Sequence, residues 1–445
     1  MTLPPSGEFI KNINGLRAIA VIAVVLFHYG VRYFDGGYVG VDVFFVISGF
    51  LLTSIAHGRL QKRQYSAVQF LLNRLRRIFP ALLVTVIGCW IWATLFYLPD
   101  DLSRLVRNGT AALLFRSNYA FLGDAGGYFA PDARSNILLH TWSLAVESQF
   151  YLMFAITCAL FWPAAGARRK VAGWLLFGVV GLSSLVWCVV PTPAHQRSAF
   201  YLLWGRAWEF MAGSVVALLP ARKRRGAANV VAVAGAALLL AAVFDLHADD
   251  PYPGWRAILP VAGTALIIYA GEGFLTTVLS GWPLQFLGAI SYSVYLWHWP
   301  ILLMFRERAG AEPSPLQAAL LILVSIAAGW LSYACVEQPG RKRLRMFPSR
   351  SCWRLASPQA SPLLRFSTKR TACKAGDIVK QVGNVTLVDP FEALCNQQVC
   401  FTVKDGVGPY KDTDHLTQDG VRLLAPRLSS AIRQSLVDIG AIEKP

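Results

Sequence analysis

Charge is what this 445-residue chain has least of. Asp, Glu, Lys and Arg make up 15% of it, against 55% hydrophobic residues and a mean hydropathy of +0.45. So apolar a chain is not an ordinary soluble protein, and its length leaves room for many spans, which makes the class polytopic membrane protein. Acidic residues are scarcer than basic ones, 25 against 42. The resulting +17 could suit nucleic acid, but cytoplasmic loops of a membrane protein supply the same surplus, so its placement decides. No Cys/His cluster with metal-ligand spacing occurs, and the expectation is no metal. Cys89, Cys158, Cys188 and Cys335 sit in apolar runs as packing residues, whereas Cys352, Cys373, Cys395 and Cys400 fall in a polar tail. No small-residue cleavage site follows the first apolar stretch, which therefore reads as a span that stays rather than a removed signal. No internal repeat is evident.

Apolar runs of spanning length lie near 15–33, 38–57, 78–98, 141–162, 172–191, 199–220, 228–245, 255–271, 284–305 and 317–336. They predict an all-α bundle of about ten transmembrane helices. Lys and Arg fall in every second connection, at 57–63 with Arg74, Arg76 and Arg77, then at 168–170, 222–225 and 341–343. The positive-inside rule then puts both termini in the cytoplasm and leaves the surplus charge to the membrane surface rather than nucleic acid. Residues 99–140 read as a long outer loop with an interfacial or re-entrant piece at Ala111–Phe115.

Ionisable residues inside these spans need a reason, because a charge at mid-bilayer costs about 2.5–3.5 kcal/mol even on lenient scales. Arg17 and His28 share the first span, eleven residues apart, so they lie on one helical face about 16 Å from each other. Function is one reading, and an interfacial Arg and His at the two ends is the other. Asp42 and Ser48 follow in GVDVFFVISG, Glu147 in TWSLAVESQFY, Arg206 and Glu209 at i, i+3 in WGRAWEF, and Ser291 and His298 seven apart, on one face, in SYSVYLWHWP. Helices converging on a polar cavity would carry such a set. Mutual neutralisation of Arg206 by Glu209, helix-end hydrogen bonding by Asp42 and Glu147, and a belt position for His298 are the structural alternatives.

Seven motifs in order over residues 10–345 closely resemble the membrane acyltransferase 3 family: Arg17-x10-His28, GVDVFFVISGFLL, RLRRIFP, TWSLAVESQFY, WGRAWEF, SYSVYLWHWP and VEQPGR. The resemblance implies a bacterial inner-membrane enzyme that moves an acyl group, usually acetyl, from cytoplasmic acyl-CoA to a sugar hydroxyl outside. The acceptor would be a cell-envelope polysaccharide such as lipopolysaccharide O-antigen, with acetyl-CoA as donor substrate and no bound cofactor. It also implies that His28 is the essential histidine, that Arg17 is its motif partner, and that Arg74, Arg76 and Arg77 receive acyl-CoA phosphates. Glu147 joins His28 and Arg17 as a catalytic candidate, while Asp42, Ser48, Arg206, Glu209, Tyr292 and His298 are candidate cavity residues. A transporter of a small solute or lipid-linked sugar is the alternative, since carriers also hold intramembrane Arg, Glu and His.

After residue 345 the texture changes. Between Gln338 and Gly376 there are ten Lys or Arg and no acid, so 346–376 reads as a basic Ser/Pro-containing linker. Residues 377–445 become globular again, with a strand expected at Val385–Val388 and a helix at Pro426–Ile439. VDPFEALC and YKDTDHLTQDG resemble the last part of the SGNH hydrolase-type domain fused to many members of that family, with Asp412 and His415 on its Asp-x-x-His block. The Gly-Asp-Ser nucleophile block is missing, because Gly376-Asp377 is followed by Ile378. The expectation is a small α/β remnant without a serine, held in the cytoplasm with Cys395 and Cys400 reduced, and an acyltransferase domain at 1–345 whose chemistry rests on its own helices. A degenerate enzyme that no longer completes transfer is the remaining reading.

Overall fold

The computed structural model describes residues 8–62, 64–97, 99–123, 136–161, 167–190, 192–220, 225–271 and 273–343. The expected α/β segment at 377–445, with Asp412 and His415, and the linker at 346–376 lie outside these residues. Among the described residues every regular element is a helix. In chain order they are α1 (Glu8–His28), α2 (Gly40–Gln61), α3 (Ala67–Phe96), α4 (Pro99–Leu113), α5 (Ser117–Gly123), α6 (Trp142–Phe161), α7 (Ala167–Val189) and α8 (Thr192–Tyr201). Then follow α9 (Leu203–Leu218), α10 (Arg225–Asp245), α11 (Ile258–Ala270), α12 (Phe274–Leu279), α13 (Trp282–Ala309), α14 (Pro315–Ser332) and α15 (Gln338–Arg343).

Local chemistry sets several of these boundaries. Ser66 caps α3 by accepting from the Gln69 amide, and Ser314 caps α14 in a reciprocal box with Gln317, with Pro315 opening the helix. Gly310, at φ 63°, ends α13 in the left-handed conformation that glycine adopts without strain. Among the described residues, seven helical stretches are long and apolar enough to cross a membrane: Lys11–His28, Gly37–Gln61, Ala67–Phe96, Leu139–Phe161, Gly226–Asp245, Trp282–Ala309 and Pro315–Gly340. Leu175–Val189 and Gly254–Ala270 are shorter apolar helices, and α9 has 16 residues. Leu175, Val179, Leu182 and Val186 form an outward stripe on α7, each more than half exposed, as a helix facing hydrocarbon requires. The stretch 99–123, expected as a loop, holds α4 and α5, and α4 buries Leu105, Gly109, Ala111 and Ala112 beneath an acidic first turn.

Two pairings set the frame. α1 and α13 run parallel, since Gln285 donates to the Lys11 carbonyl at 2.7 Å near their starts and His28 meets His298 farther along. α2 and α9 also run parallel, since Asp42 meets Arg206 near their starts and the Gly49 carbonyl accepts from Ser214 farther along, and they touch backbone to backbone: a Cβ on Gly49 would lie 1.8 Å from the Phe210 oxygen, and one on Gly213 1.9 Å from that of Val46. Only glycine permits this approach. α10 and α11 are antiparallel, with Gly235 against Gly263, and α13 and α14 likewise, with Val294 against Gly329.

An ion cluster joins α2 to α9. Arg206 is fully buried, and its Nη1 donates to Asp42 Oδ1 at 3.0 Å and to Glu209 Oε1 at 2.8 Å, while Nε donates to the Phe200 carbonyl at 3.1 Å. The rings of Trp142, Phe200 and Tyr252 lie 5.6, 4.8 and 5.4 Å from its guanidinium carbon. Mutual neutralisation of Arg206 and Glu209 is thus what the structure contains, with Asp42 added from the neighbouring helix. Breaking such a cluster from one side strands the remaining charge.

Arg206→Leu, which leaves two buried carboxylates, should cost about 3–5 kcal/mol. It should lower the unfolding midpoint in detergent well below that of Asp42→Asn, which keeps the Arg206–Glu209 pair; equal midpoints would show that Arg206 does not tie the helices. Gly213→Val should cost at least the upper end of the ~1–3 kcal/mol typical of overpacking, because its Cβ meets backbone rather than a movable side chain. An unchanged midpoint would mean that α2 and α9 separate freely.

Candidate active site

A cleft opens between α1, α2, α3, α6 and α13. Arg17, Arg74 and Arg77 line it together with Glu147, Ser48, Tyr151 and Tyr292, and Ser143 and Tyr295 also belong to its wall. Arg74 and Arg77 stand at i, i+3 on α3 and so share a face, whereas Arg76, two residues from Arg74, is rotated by about 200° and lies outside the lining. Among the described residues no carboxylate lies within ion-pair distance of Arg74 or Arg77. Arg74 packs instead over the Phe70 and Tyr151 rings, at 5.6 and 5.9 Å. Glu147 Oε1 accepts from the hydroxyls of both Ser48 and Tyr151, which ties that carboxylate to α2. The lining thus carries three cations and one carboxylate, a surface suited to a polyanion. Tyr292 donates to the Ile78 carbonyl at 2.7 Å and anchors α13 to α3.

Histidines stand beyond the Tyr295 end of the cleft. His28 Nδ1 lies 2.9 Å from His298 Nε2, and His298 Nδ1 lies 2.7 Å from the Tyr295 carbonyl. That carbonyl can only accept, so His298 carries its proton on Nδ1. In the neutral ring Nε2 is then an acceptor, and His28 Nδ1–H donates to it. By the same step, neutral His28 takes up a proton at Nε2. The pair is enclosed by aromatic faces, with the Trp299 ring 4.7 Å from His28 and the two imidazoles stacked at 5.1 Å. His28 closes the last turn of α1. Behind the pair, Tyr29 reaches both the His298 carbonyl and Ser325, at 3.0 and 2.9 Å, which ties α1, α13 and α14 together.

The eleven-residue spacing therefore separates two environments on one face of α1, with Arg17 in the cleft wall and His28 in the histidine pair. Of the candidate cavity residues, Ser48 and Tyr292 line the cleft with Glu147. His298 is the partner of His28, and Asp42, Arg206 and Glu209 form the separate ion cluster, outside the cleft lining. Sequence reasoning missed His140, Ser143, Tyr151 and Tyr295. The Tyr295 and Ser143 hydroxyls are 2.8 Å apart, and both reach the His140 carbonyl, at 2.9 and 3.2 Å. His140 stands directly before the motif that supplies Glu147. A histidine next to an apolar run was a readable signal, but it looked like a loop residue until α6 was seen to start beneath it. Among the described residues no group of three or more His, Cys, Asp or Glu side chains is arranged to hold a metal ion.

Residues 10–334 match the acyltransferase 3 family, described as an acyltransferase domain, and residues 336–430 match the SGNH domain fused to such domains. The chain is 35% identical over 339 residues to the protein of Komagataeibacter xylinus named as the membrane-bound transacylase BcsY, covering 74% of this chain and 82% of that one. It is 30% identical to the peptidoglycan O-acetyltransferase OatA of Listeria monocytogenes, over 76% of this chain and 56% of that protein. With the O-acetyltransferase OatA of Staphylococcus aureus the identity is 27%, over 76% and 58%. The chain thus spans just over half the length of these two O-acetyltransferases. No solved structure matches it. Because the first match takes in every helix that lines the cleft and both histidines of the pair, the chain belongs to the acyltransferase 3 family and is a multi-pass membrane acyltransferase.

Proposed function

We propose that this enzyme carries an acetyl group from cytoplasmic acetyl-CoA to a hydroxyl of a cell-envelope polysaccharide, such as lipopolysaccharide O-antigen, across the bacterial inner membrane. The observation that carries the reading is the continuity from cation-lined cleft to histidine pair: the Tyr295 that walls the cleft also holds His298 through its carbonyl. Arg17, Arg74 and Arg77 take the phosphates of the donor, and Arg76 adds to the basic surface at the cytoplasmic mouth. The thioester then extends along the cleft toward Tyr295. His28 Nε2 accepts the proton of the acceptor hydroxyl as its oxygen bonds to the acyl carbon. The carbon–sulfur bond breaks, and the thiolate recovers the proton from His28. His298 orients His28 and accepts from the imidazolium. Glu147, held by Ser48 and Tyr151, fixes the cleft wall on α6.

Helix directions support ten crossings. α1 and α13 are parallel, so an odd number of spans lies between them, yet only four of the seven long apolar stretches do. The same count between α2 and α9 requires one more span than α3 and α6 supply. Crossing by α7, α9 and α11 satisfies both. The result is ten spans, with the start of α1 and the end of α14 on the cytoplasmic side beside the basic connections.

Membranes containing the His28→Ala variant, given labelled acetyl-CoA and polysaccharide, should transfer label ~10²–10⁴-fold more slowly than wild type; equal labelling removes His28 from the chemistry. Arg77→Ala should raise the KM for acetyl-CoA by ~10–100-fold with kcat little changed, since a hydrogen bond to a charged group is worth about 1.5–3 kcal/mol. An unaltered KM would move the donor elsewhere. In cells, the envelope polymer that loses its ester on deletion identifies the acceptor.

A further inference from the structure

His140 is buried, with about 1% of its surface exposed, and among the described residues neither ring nitrogen makes a well-formed hydrogen bond, the Leu296 backbone standing close to the ring. A buried imidazole without such bonds is costly, and a group left so in a native structure requires an explanation. Its surroundings supply one. Its ring stands edge-on to His298, with centroids 5.9 Å apart, and packs against Tyr295 at 5.6 Å. Its own carbonyl accepts from Tyr295 and Ser143, which wall the cleft at the end nearest the histidine pair. Hydrogen bonds to its backbone therefore fix the residue, while its side-chain donor is uncommitted at the place where the cleft meets the His28–His298 pair.

We propose that His140 is a further catalytic residue, the hydrogen-bond donor to the acyl carbonyl oxygen during transfer; this deepens, and rests on, the acetyl-transfer reading above. When the acceptor oxygen bonds to the acyl carbon, the carbonyl electron pair moves onto oxygen and the hydroxyl proton moves to His28. The oxyanion so formed receives the N–H of neutral His140. As the carbonyl re-forms, the carbon–sulfur bond breaks, and the CoA thiolate takes the proton from His28. A neutral imidazole suits this role, since it donates without a charge that would have to be buried in the resting enzyme. The two histidines divide the work: His28, hydrogen-bonded to His298, moves the proton, and His140 steadies the charge.

The test uses the full chain in detergent with radiolabelled acetyl-CoA and purified lipopolysaccharide. His140→Ala is compared with His140→Asn and His140→Gln, whose amides place an N–H near the positions of Nδ1 and Nε2, and with His28→Ala. The expected result is a ~10²–10³-fold lower kcat for His140→Ala with donor KM within about twofold. At least tenfold of that loss should be recovered by Asn or Gln, and the unfolding midpoint of the amide variants should match wild type. A His140→Ala enzyme within threefold of wild type overturns the proposal, as do amide variants no better than alanine. Failure of all three variants to fold also overturns it, assigning His140 to packing of the helix start. Wild type indistinguishable from His28→Ala is a different outcome and removes the acetyl-transfer reading itself, and with it the basis of the proposal.

Discussion

In hydrocarbon an ionisable side chain cannot borrow water, so its partner has to come from another part of the protein, and that constraint organises this molecule. Arg206 finds one carboxylate on its own helix and another on α2. His28 finds an acceptor on α13, and Glu147 takes hydroxyls from α2 and α6. Each partnership needs two helices at a defined height and rotation. The polar residues thereby specify register that apolar packing alone, with lipid as a competing neighbour, would leave loose. Glycine supplies the other half of the device: at Gly49 and Gly213 the backbones come so close that α2 and α9 have almost no freedom to slide.

The three polar systems divide by what they leave available. The Arg206 cluster turns every guanidinium nitrogen that it bonds inward and is closed by three aromatic rings, so it stabilises and does not react. The cleft keeps cations facing open space without carboxylates beside Arg74 and Arg77. The histidines sit between these extremes, enclosed yet arranged as a directional chain of donors and acceptors. One helix, α1, takes part in both the cleft, through Arg17, and the histidine pair, through His28, and so joins the two on a single rigid element.

Much of this was legible in the residues. Periodicity and charge placement gave the helical class and the main crossings, and the common face of Arg17 and His28 followed from helical geometry alone. The i, i+3 spacing of Arg206 and Glu209 announced their pairing. What could not be read was which distant residues meet. Nothing in WGRAWEF says that Asp42 completes the cluster, and His298 was one of several polar residues until α13 proved parallel to α1. Arg76 looked equivalent to Arg74 and Arg77 in sequence, and only the rotation of α3 separates them. His140 escaped because its significance lies in missing partners, which a sequence cannot display. The SGNH-like character of the segment beyond 345 was legible in its motifs, and the domain match over residues 336–430 agrees with it.

The bond between His28 and His298 joins positions 270 apart in the chain. At synthesis rates of about 5–20 residues per second, roughly 15–50 s separate the appearance of the two imidazoles. During that interval the first helix is already in the bilayer, carrying its histidine without the neighbour that fixes its tautomer. The pair is therefore complete only when almost the whole membrane domain has been made and α13 has docked.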